Sequence, residues 1–166
     1  MGKVLSQFQH GFEGQISRAV DDIVISLKNG SEEDIPFGKP VFLMPGNNNC
    51  VQGYNSSSVS DASRFLGFAV RAADKIPDTV ATQNTGSPAA YHPGDPVDIL
   101  VRGSMVVATV TNAILGQPVY VRISDGKLTT AAGSAGTTIL LPNVSVRGPR
   151  DGQNHMEIVV TGRNLL

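Results

Sequence analysis

The frame Gly-x-Pro-Val recurs three times in this chain, in "FGKPVFL" at Gly38 to Val41, "PGDPVDIL" at Gly94 to Val97 and "LGQPVYV" at Gly116 to Val119. Each copy leads into an apolar run containing β-branched residues. Proline has no N–H to give to a sheet ladder, so it is tolerated at the first residue of a strand and excluded from its middle. The glycine two places earlier reaches positive φ at little steric cost and so supplies a turn. Neither residue has a side chain that can hold a ligand. The frame therefore reads as scaffold: three strands entered through one turning device, at similar corners of an all-β fold.

The intervening sequence agrees. Ile23, Ile25 and Leu27 alternate with Val24, Ser26 and Lys28, the period-2 pattern of a half-buried strand. "KNG" at Lys28 to Gly30 predicts a turn, because Asn and Gly tolerate positive φ. The stretch "SDASRFLGFAVRAADK" is ambiguous, since Ala62, Phe65, Leu66, Ala69, Val70 and Ala73 recur at helical spacing. Gly67 weakens a helix by about 1 kcal/mol relative to Ala, and "RFLGFAVRA" is expected to be a strand. "VDILVR", "SMVVATVT", "PVYVRIS", "TTILLP", "NVSVRG" and "HMEIVVTG" are rich in β-formers. "SDGKL" at Ser124 to Leu128 carries the Asp-Gly of a hairpin.

With 18 glycines and 10 prolines, the expected fold is all-β: a single compact barrel or sandwich-like domain of short strands. A chain of 166 residues buries roughly 70% of its extended surface, enough for a core without metals or disulfides. Residues 1–17 are polar and broken by glycine, and are expected to form an extended N-terminal arm that gains order by docking on something else, with the domain at 18–166. A long loop is expected from Asp74 to Tyr91, a length usually associated with function or mobility.

Composition argues against several functions. Net charge is −1, the 13 Lys and Arg residues are dispersed, and Tyr and Phe number only three and six. There is no electrostatic footprint for a phosphate backbone and few stacking platforms, so no direct nucleic-acid partner is expected. No run approaches the roughly 18 apolar residues of a membrane span, and "MGKVLSQFQHGFEGQ" has no apolar signal region. Cys50 is the sole cysteine, so an intrachain disulfide is not possible. His10, His92 and His155 have no partners at zinc spacing. "SEEDIP" at Ser31 to Pro36 lacks the alternating ligands of a calcium loop. No nucleophile elbow or phosphate loop is present. Asp21 and Asp22 would point to opposite faces of an extended strand. No cofactor, metal or catalytic residue is assigned, and no enzyme is expected.

The order of segments is more telling. "GFEGQISRAVDDIVISL", "IPFGKPVFL", "RFLGFAVRA", "YHPGDPVDILVRGSMVVATV", "ILGQPVYVRISDGKLTT" and "EIVVTGRN" follow one another from about residue 11 to the end. This series resembles the structural cement, or capsid decoration, proteins of tailed-phage heads. Members begin with a Gly-Gln-Ile/Leu segment, continue through "fG.aV" and "F.GVAV" strands, and close with two Gly-containing hairpins. The loop containing "ATQNTGSPAA" is longer than the family's usual one.

The resemblance implies a virion protein, made in the host cytoplasm, that binds the outer surface of the head and bridges major capsid protein subunits. It further implies a small homo-oligomer, a homotrimer favoured over a dimer. On that reading the contact candidates are Phe8, Phe12, Gln15, Ile16 and Arg18 in and beside the arm, and Tyr91 at the edge of the long loop. Phe8 and Phe12 are large apolar groups on a polar segment, as interface anchors tend to be. The alternative is a virion-associated ligand- or carbohydrate-binding β domain, which the absence of tryptophan makes the weaker reading.

Overall fold

The computed structural model describes residues 9–55, 57–75 and 89–165. Its strands are β1 (Ile16–Asn29), β2 (Ile35–Pro36), β3 (Pro40–Met44), β4 (Asn47–Gly53), β5 (Phe65–Ala69), β6 (Ala90–Tyr91), β7 (Pro96–Ala108), β8 (Pro118–Arg122), β9 (Leu128–Thr129), β10 (Thr138–Gly148) and β11 (His155–Val160), with one 3-10 turn at Ala73–Lys75. Pro40, Pro96 and Pro118 are each the first residue of a strand, β3, β7 and β8. Their glycines Gly38, Gly94 and Gly116 have φ of 72°, 88° and 83°. The repeated frame is thus a strand entry, with proline spared a ladder bond it could not make.

Nine strands form one sheet in the order β1-β4-β3-β5-β7-β11-β10-β8-β9, and β2 pairs with β6 as a separate ribbon. β1 also pairs with β7 along its length, and it meets β4 in parallel only at Lys28↔Cys50 and Asn29↔Val51. The sheet therefore folds over on itself, and the architecture is sandwich-like, not a closed barrel.

Folding over creates two apolar clusters with β3, β5 and β7 between them. Val41, Leu43, Leu66, Val97, Ile99 and Val101 face one, and Phe42, Phe65, Phe68, Leu100, Met105 and Val107 face the other. β5 is buried at all five positions. A strand covered on both faces reads as a continuous apolar run, without alternation, which is why its sequence also fits a helix. Helical spacing there is coincidence.

β7 changes face partway. Odd-numbered Val97, Ile99 and Val101 point into one cluster, whereas odd-numbered Met105 and Val107 point into the other. The reversal falls at Gly103, whose φ is 124°. Opposite it, Arg18 pairs with Ser104 and Ile23 with Arg102, so four residues of β1, 19–22, stand against the single residue Gly103 of β7. This wide bulge is the main irregularity of the sheet, and it re-aims side chains on both strands.

The expected turn at Lys28 to Gly30 is not built as the sequence suggests. Neither Asn29 nor Gly30 has positive φ. Asn29 ends β1 with 1% exposure, and its side chain acts as a bracket. Nδ2 donates to the carbonyls of Glu33 at 2.9 Å and Tyr91 at 3.2 Å, and Oδ1 accepts from the Ser31 N–H and hydroxyl. The chain reverses further on, past Ser31. By contrast "SDGKL" is a hairpin, with Tyr120↔Thr129 and Val121↔Leu128 paired and Gly126 at φ 67°.

Gly67 lets β5 lie against β7, because a Cβ there would stand 2.1 Å from the Leu100 carbonyl oxygen. Gly67→Ala is expected to part the strands and cost about 3 kcal/mol or more. Gly46 is required only for its φ of 75°, since a Cβ at that position would have no atom within 4 Å, and Gly46→Ala is expected to cost about 1–2 kcal/mol. Urea midpoints at unchanged m-value check the ordering.

Candidate docking surface

β11 presents His155, Glu157 and Val159 in succession on the face away from the core, because Met156, Ile158 and Val160 point inward. The segment before β1 lies along this face. Gly14 N–H donates to Val106 O at 2.9 Å, Val106 N–H donates to Gln15 O at 2.9 Å, and Arg71 N–H donates to Gly14 O at 2.8 Å. Gly14 is wedged so tightly that a Cβ would meet Phe37 Cβ at 2.8 Å and Gly38 N at 2.9 Å. Residues 9–15 are therefore docked on the domain itself, through a crossing only glycine allows.

From this crossing the chain meets β11 step by step. Glu13 Oε1 lies 3.7 Å from His155 Nε2. Ser17 Oγ donates to Glu157 Oε1 at 2.8 Å, and Arg18 Nε donates to the same oxygen at 3.0 Å. At the third step, beside Val159, the covering stops. There the bulge of β1 leaves a groove of about 500 Å³ lined by Arg18, Asp21, Asp22, Arg102, Arg147 and Val159, among others.

The sequence candidates are distributed as follows. Phe8 lies outside the described residues. Phe12 is 65% exposed, and the Arg71 guanidinium sits 5.0 Å from its ring centroid and 5.6 Å from that of Phe37. Gln15 is exposed, and its Oε1 accepts from Phe12 N–H at 3.2 Å. Ile16 is half-buried against the larger cluster. Arg18 is exposed along much of its side chain while its head grips Glu157. These residues share one strip of surface. Tyr91 does not join them: it is 1% exposed, edge-on to Phe37 at 5.5 Å, and donates its hydroxyl to Val70 O at 2.7 Å. Burial first, and then the charge of Asp98, push its hydroxyl up to about 12, so it stays a donor. Its work is in the core.

Arg71, Arg102, Arg147 and Glu157 carry no sequence signal of their own, since each is an isolated charge on a strand or beside one. Asp21 and Asp22 stand out as a pair, but an unbroken strand would separate them. The bulge brings both to the same groove. Asp21 pairs with Arg102 at 2.6 Å, and Asp22 Oδ1 is buried with no hydrogen-bond partner.

No group of three or more His, Cys, Asp or Glu able to hold a metal occurs among the described residues. The half-buried Cys50 thiol receives a contact from Asn47 Nδ2 at 3.3 Å. The strip thus carries a stacked Arg–Phe pair, the Arg18–Glu157 and Arg102–Asp21 ion pairs, and a groove.

Two carboxyls tie the N-terminal segment down. Burial pushes the Glu157 carboxyl up, but hydrogen bonds from Ser17 and Arg18, with the charges of Arg18 and Arg147, outweigh it and hold it below the usual range. Asp151 is likewise pushed up by burial and brought lower on balance by the backbone N–H groups of His10, His155 and Gln153, with the His155 charge. Both bind protons less readily in the folded state. Their contribution is therefore complete above the unfolded values of about 4 and is lost as pH falls through the lower folded values. Glu157→Gln is expected to cost about 1–2 kcal/mol at neutral pH, a difference that shrinks in acid. Hydrogen exchange at residues 10–18 is expected to rise before that of β7 as the pH drops.

Comparison with known proteins gives a consistent outcome. The model of the family described as Structural cement protein (E217 gp24/Pam3 gp6) matches residues 3–161. No curated protein matches. Among solved structures, a chain of "The capsid of Myoviridae Phage XM1" shares the fold at a TM-score of 0.70 and 15% identity, over 96% of this chain and 95% of that one. With nearly its whole length matched, the chain belongs to the structural cement protein family.

Proposed function

We propose that the protein binds the outer surface of a phage head and stabilises it by bridging major capsid protein subunits. The family match over residues 3–161 carries this reading. In it, the protein is a homo-oligomer, makes no contact with nucleic acid or membrane, and catalyses nothing. Adhesion is its activity.

The physics of such a clamp favours many modest contacts over one strong one. Once one copy in an oligomer is attached, the next binds at high effective concentration, so weak contacts multiply into tight attachment. A sheet that folds over on itself holds those contacts at fixed spacing, which lowers the ordering cost of binding. Phe12, exposed and stacked on Arg71, joins the two residue types that commonly dominate interfaces.

Heads of the encoding phage, prepared without this protein, are expected to bind the purified chain in a sedimentation assay and to resist heating better once coated. Phe12→Ala is expected to cost the free protein no more than about 1 kcal/mol, the loss of an exposed cation–π contact. Attachment to heads is expected to weaken about tenfold or more. Undiminished attachment of that variant would remove Phe12 from the contact, and uncoated heads at every concentration would refute the cement role.

A further inference from the structure

The bulge divides β1 into two parts that are held independently. Residues 23–28 pair with β7 from Arg102 to Pro96. Residues 10–18 are held by a separate set of groups: His10 N–H donates to Asp151 Oδ2 at 3.0 Å, Gly14 and Gln15 bond to Val106, and Ser17 and Arg18 donate to Glu157. Residues 19–22 between them have no partner on β7.

This connection is compressed. Five Cα steps separate Arg18 from Ile23, enough to span about 17 Å when extended. Their partners Ser104 and Arg102 are two residues apart on β7, about 7 Å. Folding away the excess presses Asp22 onto Gly103, where a Cβ would stand 2.0 Å from Asp22 Oδ1. That oxygen is buried with no hydrogen-bond partner, and a desolvated carboxylate oxygen without a donor is destabilising. Straightening residues 19–22 would return it to water. The Asp21–Arg102 pair would be lost, but both side chains are substantially exposed and such pairs contribute little.

An arm that leaves its seat cannot leave it empty, because Glu157 is 6% exposed and would be a buried charge without its donors. The seat is also selective. The crossing at Gly14 admits no Cβ, since Phe37 Cβ and Gly38 N would lie within 3 Å of it, and a hydroxyl and a guanidinium must follow for Glu157. The segment that meets those demands is the same arm from another molecule.

We propose that residues 10–18 of one copy dock on the seat of a second copy of this chain, with residues 19–22 straightened as the hinge. Every contact of the seat is kept and only the hinge changes, so the strain released there favours exchange; short strained hinges act in this way. The inference rests on the homo-oligomer part of the cement reading and says how the copies are joined.

Full-length Arg18→Lys keeps the charge beside Glu157 and adds an amine that a carbodiimide can couple to that carboxylate. Isotope-labelled and unlabelled chains of this variant are unfolded together in urea and refolded, and the coupled peptides of the oligomer are analysed by mass spectrometry. Exchange is expected to give roughly half of the peptides joining positions 18 and 157 as mixed-isotope pairs, the random-assembly value for an arm supplied by another copy. Pairs of like isotope alone, or no coupling between these positions, would overturn the proposal and leave the cement reading standing. A monomer at every concentration would overturn both the exchange and the homo-oligomer. Asp22→Asn removes the buried charge, so it is expected to favour the closed monomer and to raise the concentration at which the oligomer dissociates about tenfold. An unchanged dissociation midpoint would deny the hinge its role and overturn the proposal as stated. Sedimentation with uncoated heads reads the cement role separately: failure to attach would refute that role without bearing on mixed-isotope pairs in the free protein.

Discussion

Strand β7 is hydrogen-bonded along both edges, with β1 on one side and first β5, then β11, on the other. The hand-over from β5 to β11 falls between Leu100 and Gly103, where the strand also exchanges the cluster it faces. With unbroken alternation Met105 and Val107 would face the same cluster as Val97, Ile99 and Val101, because only a shift of one residue sends every later side chain to the opposite face. Gly103, in a conformation closed to other residues, makes that shift once and in place. The bulge of β1 is its counterpart on the neighbouring strand. The groove beside Val159 follows from the same step: the chain that bulges away from β7 opens a space, and the aspartates on the bulge line it.

The N-terminal segment stands in a dependent relation to this frame. Its Gly14 crossing needs Gly38 opposite, so one glycine of the repeated strand-entry frame also serves as a seat for the arm. Gly94 and Gly116 face open space and serve only as turns. The Arg18–Glu157 pair adds little through Coulomb attraction alone, because Arg18 is largely exposed and such pairs are screened. Its weight lies in Glu157, which is 6% exposed and would be a buried charge without donors if Ser17 and Arg18 withdrew. The contact therefore fixes register: slipping the segment by one residue would strip that carboxylate.

Much of this fold is legible in sequence because its signals are local. Proline at a strand entry, positive-φ glycines, the alternation of β1 and the Asp-Gly hairpin each rest on backbone chemistry within a few residues. Asn29 defeats the local reading because its side chain bonds to Tyr91, 62 positions away, and a buried bracket is the stronger use of an Asn than a tight turn. Tyr91 looks like a loop edge for the same reason, since the contact that buries it comes from Phe37. On the candidate surface Phe12 and Arg18 are legible as an apolar group and a charge on a polar segment. Arg71, Arg147 and Glu157 are not, because strand pairing brings them there and no spacing along the chain records it.

The distribution of exposed apolar groups bears on how a cement protein avoids indiscriminate association before it meets a shell. Phe12 precedes β1, Ile114 and Leu115 sit in the turn between β7 and β8, and Leu140 lies on β10, with exposures of 65%, 66%, 70% and 51%. They belong to three elements, namely the segment before β1, the turn between β7 and β8, and β10, and an apolar face drives indiscriminate association only where such groups form one broad patch. The charges are arranged in a similar way, with Asp21 on Arg102 and Asp125 on Arg122 and a net charge of only −1. Long-range attraction is therefore weak, and attachment on the proposed reading has to come from short-range fit. A lattice supplies that fit many times over at fixed intervals, whereas a lone protein in solution supplies it once. On that reading selectivity for the assembled head follows from geometry, because a surface that repeats at the right spacing engages several weak contacts together.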